Sequence, residues 1–272
     1  MIGFLFARQR SGTGALGSIL DRHPQLKYAG EVLHPDDRSN KVSFFNYVEA
    51  ETDRLKRYCD PNLRADLIEQ YFTWVQEVYH PRTPIIDVKY RSIHNWNGGW
   101  QGIIEPPWLV RHIRDRKLPL LHLKRKNYLE TYVSGRLAEE NQVWHATTAA
   151  EVKVREIAVD IRQLSRVLTE TTDEVKLMDS WLEGVKTKTV LEYAELFNAE
   201  GVASESKLNQ IKNLFALESD FQNLKPAFVK QAPRNLAVSI TNFQLVERAL
   251  RGTEFAWMLT PKAQAPSQSA EA

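Results

Sequence analysis

Residues 8–24 run RQRSGTGALGSILDRHP, with Gly12, Gly14 and Gly17 at G-x-G-x-x-G spacing and Arg10, Ser11 and Thr13 among them. At the start of a helix, free backbone N–H groups and the helix dipole favour an anion, and glycines let that anion approach the backbone closely. A phosphate-like ligand is the chemistry this loop can serve. The alternative is a tight turn with no ligand, because an isolated glycine pattern is a weak signal. A second polar stretch, Lys124, Arg125, Lys126 and Asn127, follows the apolar run LPLLHL. Alone, it is equally a solvated basic turn.

The elements that must position these loops follow from hydrophobic periodicity. Residues 2–7 form a short apolar strand ended by Arg8, and 13–22 carry apolar residues at helical spacing until His23-Pro24. KYAGE gives a short strand end, 41–52 and 62–79 are helical, and PIIDVKY (84–90) is a second apolar strand. HNWNGGWQGIIEPPW forms a structured loop, rich in Trp, Gly and Pro. A helix near 107–116 precedes LPLLHLKRKN, a third strand leading into the helix YLETYVSGRLAEE. From Asp160, an N-cap, a 3.6-residue rhythm predicts a long amphipathic helix over 160–183. KTVLEYAEL gives a fourth strand and a short helix, the remainder to Leu259 is mostly helical, and 261–272 is expected to be a disordered tail. Alternating strands and helices predict a single α/β domain over 1–260, with a central parallel sheet flanked by helices and ligands at the carboxyl ends of its strands. Both polar loops leave such ends.

Composition narrows the class further. The chain has 272 residues, with 36 basic against 34 acidic side chains, so it lacks the charge signature of a general nucleic-acid binder and any anion site must be local. Cys59 is the only cysteine, which excludes an intrachain disulfide and a multi-cysteine metal cluster. The seven histidines include no H-E-x-x-H, and no metal is expected. The run at 2–7 is too short for a signal segment or a membrane span, which leads to the expectation of a cytoplasmic protein without a span.

Three readings of the glycine loop compete. A dinucleotide site needs its first glycine close behind the strand and an acid ~20 positions on. Glu31 nearly meets the second demand, but Arg8, Gln9, Arg10 and Ser11 intervene before Gly12. A Walker A loop needs G-x-x-x-x-G-K-[ST], and the lysine is missing. The third reading comes from resemblance: RSGTGAL resembles the R-S-G-T/S-T-x-L loop of sulfotransferases. These are P-loop relatives that use 3′-phosphoadenosine 5′-phosphosulfate (PAPS). LLHLKRKNYLETYVSGRLA resembles their second block, in which an arginine and a serine hold the 3′-phosphate. KTVLEYAELF and VKQAPRNLAVSITNFQLVERALRGTEFAWML resemble two weaker blocks, the last typical of bacterial carbohydrate sulfotransferases of the nodulation-factor type.

That resemblance implies a P-loop-like sulfotransferase fold and the transfer of a sulfuryl group from PAPS to a hydroxyl of a carbohydrate or glycolipid, without a metal. Arg10, Ser11, Gly12, Thr13 and Gly14 would cradle the 5′-phosphosulfate, although Gly14 stands where the family commonly has a hydroxyl. Arg125 and Ser134 would hold the 3′-phosphate: a guanidinium matches phosphate bidentately, and if Asn127 opens the helix, Ser134 lies on the same face nearly two turns on. The GE of KYAGEVLHP matches the family's G-E, which makes Glu31 the candidate base, with His94 a second candidate. Lys89 matches the lysine of another branch's K-T-H, with Arg91 in the histidine's place, and would touch the sulfuryl group or acceptor. Trp96, Trp100, Trp108 and Trp144 are candidate sugar platforms, with core or loop packing as the alternative. Other outcomes are a nucleotide kinase, an NAD-type oxidoreductase, or a non-catalytic nucleotide- or glycan-binding member.

Overall fold

The computed structural model describes residues 1–34, 38–144, 146–198, 200–228 and 235–260. The expected tail at 261–272, and the VKQAPR end of the last resembling block (229–234), lie outside them. The described residues fall into two compact units, one drawn from Met1–Lys126 and Thr172–Val229, the other from Asn127–Thr171 and the described part of Lys230–Ala272.

The first unit is the α/β layer expected from the alternation of strands and helices. Its five strands are β1 (Gly3–Ala7), β2 (Leu26–Gly30), β3 (Thr83–Lys89), β4 (Leu120–Lys124) and β5 (Lys188–Glu192). They pair in parallel in the order β2-β3-β1-β4-β5. KYAGE is thus part of a full fifth strand at the sheet edge. Its mixed polarity, with Lys27 and Tyr28 only partly buried, hides the strand from a reading based on apolar runs.

Strand side chains alternate between faces, and the core follows that alternation. Leu5 and Ala7 of β1 pack with Leu16, Ile19 and Leu20 of α1 (Thr13–Leu20) and with Leu208, Ile211 and Phe215 of a later helix, Glu205–Phe215. On the opposite face Phe4 meets Phe72 edge-on, with ring centroids 5.4 Å apart. Phe72 belongs to the helix Arg64–Tyr79. The region expected as one helix near 41–52 is instead two, Phe44–Glu49 and Thr52–Cys59, because the Ser43 side chain caps the first at Asn46 N and extended Glu51 separates them. The expected helices near 107–116 and 160–183 are present as Trp108–Arg116 and Ile161–Leu182.

The second unit gathers Leu129, Val133 and Leu137 of α6 (Tyr128–Asn141; α2–α5 are the four helices between α1 and it) around Leu164, Leu168, Leu236, Val246 and Leu250. Asn127 opens α6 as expected, its side chain accepting from Glu130 N at 3.0 Å. Beyond Phe215 the chain is less helical than expected: the described residues hold only Phe243–Leu250 and two short 3-10 turns.

One buried polar pair stands apart from the strand ends. His122 on β4 is 1% exposed and its Nε2 lies 2.5 Å from the Tyr90 hydroxyl. Burial lowers its pKa from 6.5 to about 4, with Asp179 pulling upward and Lys124 and Lys188 adding to the drop. The unfolded chain therefore binds this proton near pH 6.5 and the folded chain only near 4. The contribution of neutral His122 is present in full above about 6.5 and is lost as pH falls toward 4. Denaturant midpoints should drop across that window, and His122→Asn should show a shallower drop. An equal slope in the variant would assign the effect to other groups.

Candidate functional site

The loop between β1 and α1 is built around Gly12. Gly12 has φ 93, a left-handed conformation, and a Cβ there would run into the Tyr193 ring. No side chain among the described residues caps α1, and no acid stands in its first turn. The amides at residues 12–14 therefore begin the helix without an internal anion, the arrangement that suits a bound one. Ser11 and Thr13 are buried there, and Gly14 is half-buried. Gly17 serves packing: a Cβ would meet the Tyr28 ring, so the third glycine brings α1 close to β2.

Two guanidiniums meet at this loop. Arg10 holds φ 63, a conformation uncommon for a non-glycine residue and costing on the order of 1 kcal/mol. Arg125, just past β4, donates from Nη1 to the Arg10 carbonyl at 3.0 Å and stacks its guanidinium 4.8 Å above the Tyr193 ring. Burial pushes the Arg10 pKa down to about 10, with the Arg125 charge adding to it and Glu31 opposing. Arg10 stays cationic at neutral pH, and an anion at the loop would relieve the repulsion between the two arginines.

On the other side of the loop, Thr13 leads to a second cluster. The Lys89 ammonium, 4% exposed, lies 2.5 Å from Thr13 Oγ1, 2.9 and 2.7 Å from the two Asp87 oxygens, and 3.1 Å from Glu31 Oε1. Tyr28 donates its hydroxyl to Asp87 Oδ2 at 2.6 Å. Asp87 and Lys89 share a face of β3 because they are two residues apart. Tyr28 on β2 and Glu31 just past its end are three residues apart and would normally face opposite ways. The register with β3 shifts between Tyr28, paired with Ile85, and Gly30, paired with Ile86, and Gly30 has φ 75. This irregular step turns Glu31 onto the side of Tyr28, Asp87 and Lys89, and it explains why a glycine precedes the glutamate.

Burial raises the Glu31 pKa, Lys89 lowers it in part, and the Asp87 charge raises it again. Glu31 retains about a third of its side-chain exposure, whereas Asp87 has none. Glu31 is thus a partly exposed carboxylate with enhanced proton affinity, beside a loop whose helix-opening amides suit an anion. Lys89 cannot be assessed by simple truncation, because removing one partner of a buried ion pair costs about 3–5 kcal/mol of stability.

The structure therefore brings Arg10, Ser11, Gly12, Thr13, Gly14, Glu31, Lys89 and Arg125 to neighbouring strand ends of the first unit. Ser134 lies buried on α6 of the second unit. His94 is exposed in the 3-10 turn Tyr90–Trp96. Trp96 is fully buried against Phe44, Tyr71 and Phe72, which makes it core packing and removes it from the sugar platforms. Trp108 stacks on His112, while Trp100 is 82% exposed and Trp144 is also exposed. Asp87, Tyr28 and Tyr193 are absent from the sequence-derived set. The signal for Asp87 was an acid in an otherwise apolar strand, two residues before Lys89. Among the described residues no group of three or more His, Cys, Asp or Glu could hold a metal, and no helix is long and apolar enough to cross a membrane. No protein-family model matches this chain, and no curated protein matches it.

Proposed function

We propose that the chain is a sulfotransferase that moves a sulfuryl group from PAPS to a hydroxyl of a carbohydrate or glycolipid. The observation that carries this reading is the link Glu31–Lys89–Thr13, which joins a carboxylate of raised proton affinity to the anion-binding loop. In the proposed reaction the acceptor oxygen forms a bond to sulfur as the bond from sulfur to the bridging oxygen of the 5′-phosphate breaks. The electron pair leaves on that phosphate oxygen, and the acceptor proton passes to Glu31. Arg10 and the amides of residues 12–14 stabilise the charge growing on the leaving phosphate. Lys89, through Thr13, holds the base and the loop in one register. Arg125 supplies a second guanidinium for the 3′-phosphate.

The strand order weighs against an NAD-type enzyme, because β3 rather than β2 lies beside β1, unlike the 3-2-1-4-5-6 order of dinucleotide-binding sheets. Transfer of labelled sulfate from PAPS to a panel of sugars tests the reading, and its absence with all acceptors while nucleotide still binds would leave a non-catalytic binder. Adenosine 3′,5′-bisphosphate should raise the melting temperature more than AMP, ATP or NAD at equal concentration, since at a given concentration the tighter ligand stabilises the native state more. Equal or greater stabilisation by NAD or ATP would overturn the choice of nucleotide.

A further inference from the structure

The Lys89 ammonium has three hydrogens and four oxygens in reach: both of Asp87, at 2.9 and 2.7 Å, Thr13 Oγ1 at 2.5 Å, and Glu31 Oε1 at 3.1 Å. Glu31 is the most distant of the four. Asp87 is fully enclosed and its carboxylate also accepts from Tyr28, so it cannot turn to water and must keep its cation. We infer that Asp87 is a positioning residue: by engaging Lys89 with both oxygens, it leaves Glu31 only a fraction of that positive charge and so preserves Glu31 as a proton acceptor. The functional meaning rests on the reading of Glu31 as the base.

The charged and titratable groups that act on Glu31 are Lys89 and Asp87 from β3, His34 from the segment after β2, Arg10 from the loop before α1, and Tyr28 from β2 itself. Among the groups acting on Lys89, Asp87 is the one that competes with Glu31 as an anion. A lysine with two carboxylates cannot neutralise both. The resulting excess of negative charge favours a proton on the carboxylate whose charged form has the weaker hydrogen-bond support, and that is Glu31, because Asp87 accepts from Lys89 at both oxygens and from Tyr28. Burial acts on Glu31 in the same direction.

The test is the titration of the Glu31 carboxyl carbon by NMR in ¹³C-glutamate-labelled protein, its signal assigned by its loss in Glu31→Gln. In Asp87→Asn, Lys89 has Glu31 as its remaining carboxylate, and the Glu31 midpoint should fall by roughly one pH unit, the size expected for an opposite charge at this distance. In Asp87→Asn/Lys89→Met both buried charges are gone, which protects the fold, and the midpoint should lie above that of the single variant and within about one pH unit of the native protein's, because Asp87 offset most of the Lys89 charge. An unchanged or raised midpoint in Asp87→Asn overturns the inference. If the single variant does not fold, a double-variant midpoint raised well beyond about one pH unit above the native one overturns it, because Lys89 would then have acted on Glu31 undiluted by Asp87. The titration needs no PAPS, so its success alongside absent sulfuryl transfer would sink the proposed function and leave the Asp87 inference standing. Where transfer is observed, the acid limb of its pH profile should move with the midpoint, which loss of stability alone would not produce.

Discussion

Glu31→Gln should lower sulfuryl transfer by roughly 10²–10⁴-fold, the usual contribution of general acid–base catalysis, with almost no change in affinity for adenosine 3′,5′-bisphosphate. Glutamine keeps the shape and can still accept from Lys89 through its carbonyl, so the Lys89–Thr13 contact is retained while the proton acceptor is lost. The acid limb of the native profile should lie above the ordinary glutamate range near 4.3, because burial and Asp87 outweigh Lys89 in raising the Glu31 pKa. Steady-state turnover with saturating acceptor, together with calorimetric titration of the bisphosphate, checks both halves. Normal turnover in Glu31→Gln with a dead His94→Ala would transfer the role to His94, although His94 is exposed in the turn beyond Lys89.

Arg125→Ala should remove most of the preference for adenosine 3′,5′-bisphosphate over AMP, a loss on the order of 1.5–3 kcal/mol, as for a hydrogen bond to a charged group. The ratio of the two affinities is the proper readout. Arg125 also supports the Arg10 carbonyl at 3.0 Å and lies over Tyr193, so its removal loosens the loop for either nucleotide. A loss shared equally by AMP and the bisphosphate would make Arg125 a brace of the loop and not a reader of the 3′-phosphate. Arg125→Lys should fall between, since a lysine retains the charge but not the planar fork.

The parts of the molecule legible from sequence are those fixed by local rules. The strand at 3–7, the glycine loop and α1 were marked by an apolar run, the spacing of the glycines and helical periodicity, and Asn127 announced α6 as an N-cap. β2 was nearly hidden because an edge strand with one wetted side needs no continuous apolar run. Asp87 was missed because its role depends on Tyr28, 59 residues earlier in the chain. Tyr193 was missed for the same reason. Its ring explains why Gly12 tolerates no side chain, yet 181 residues separate them (193 − 12). Trp96 failed as a platform because a tryptophan beside glycines can belong to a loop or to the core, and only the Phe44–Tyr71–Phe72 packing decides which.

A strand obeys a parity rule, even residues to one side and odd to the other, and the step at Gly30 breaks that parity once. Glu31 owes its direction first to this single break, which brings it within reach of the Lys89 ammonium. The segment can therefore drift in sequence on its solvent side without moving the carboxylate, but it cannot change in length: one residue added or removed between Tyr28 and Glu31 restores the parity and turns the acid away from Lys89. The aim of the proposed base is in that sense counted along the backbone, and insertions here would silence the site while leaving every residue of the cluster present in the chain.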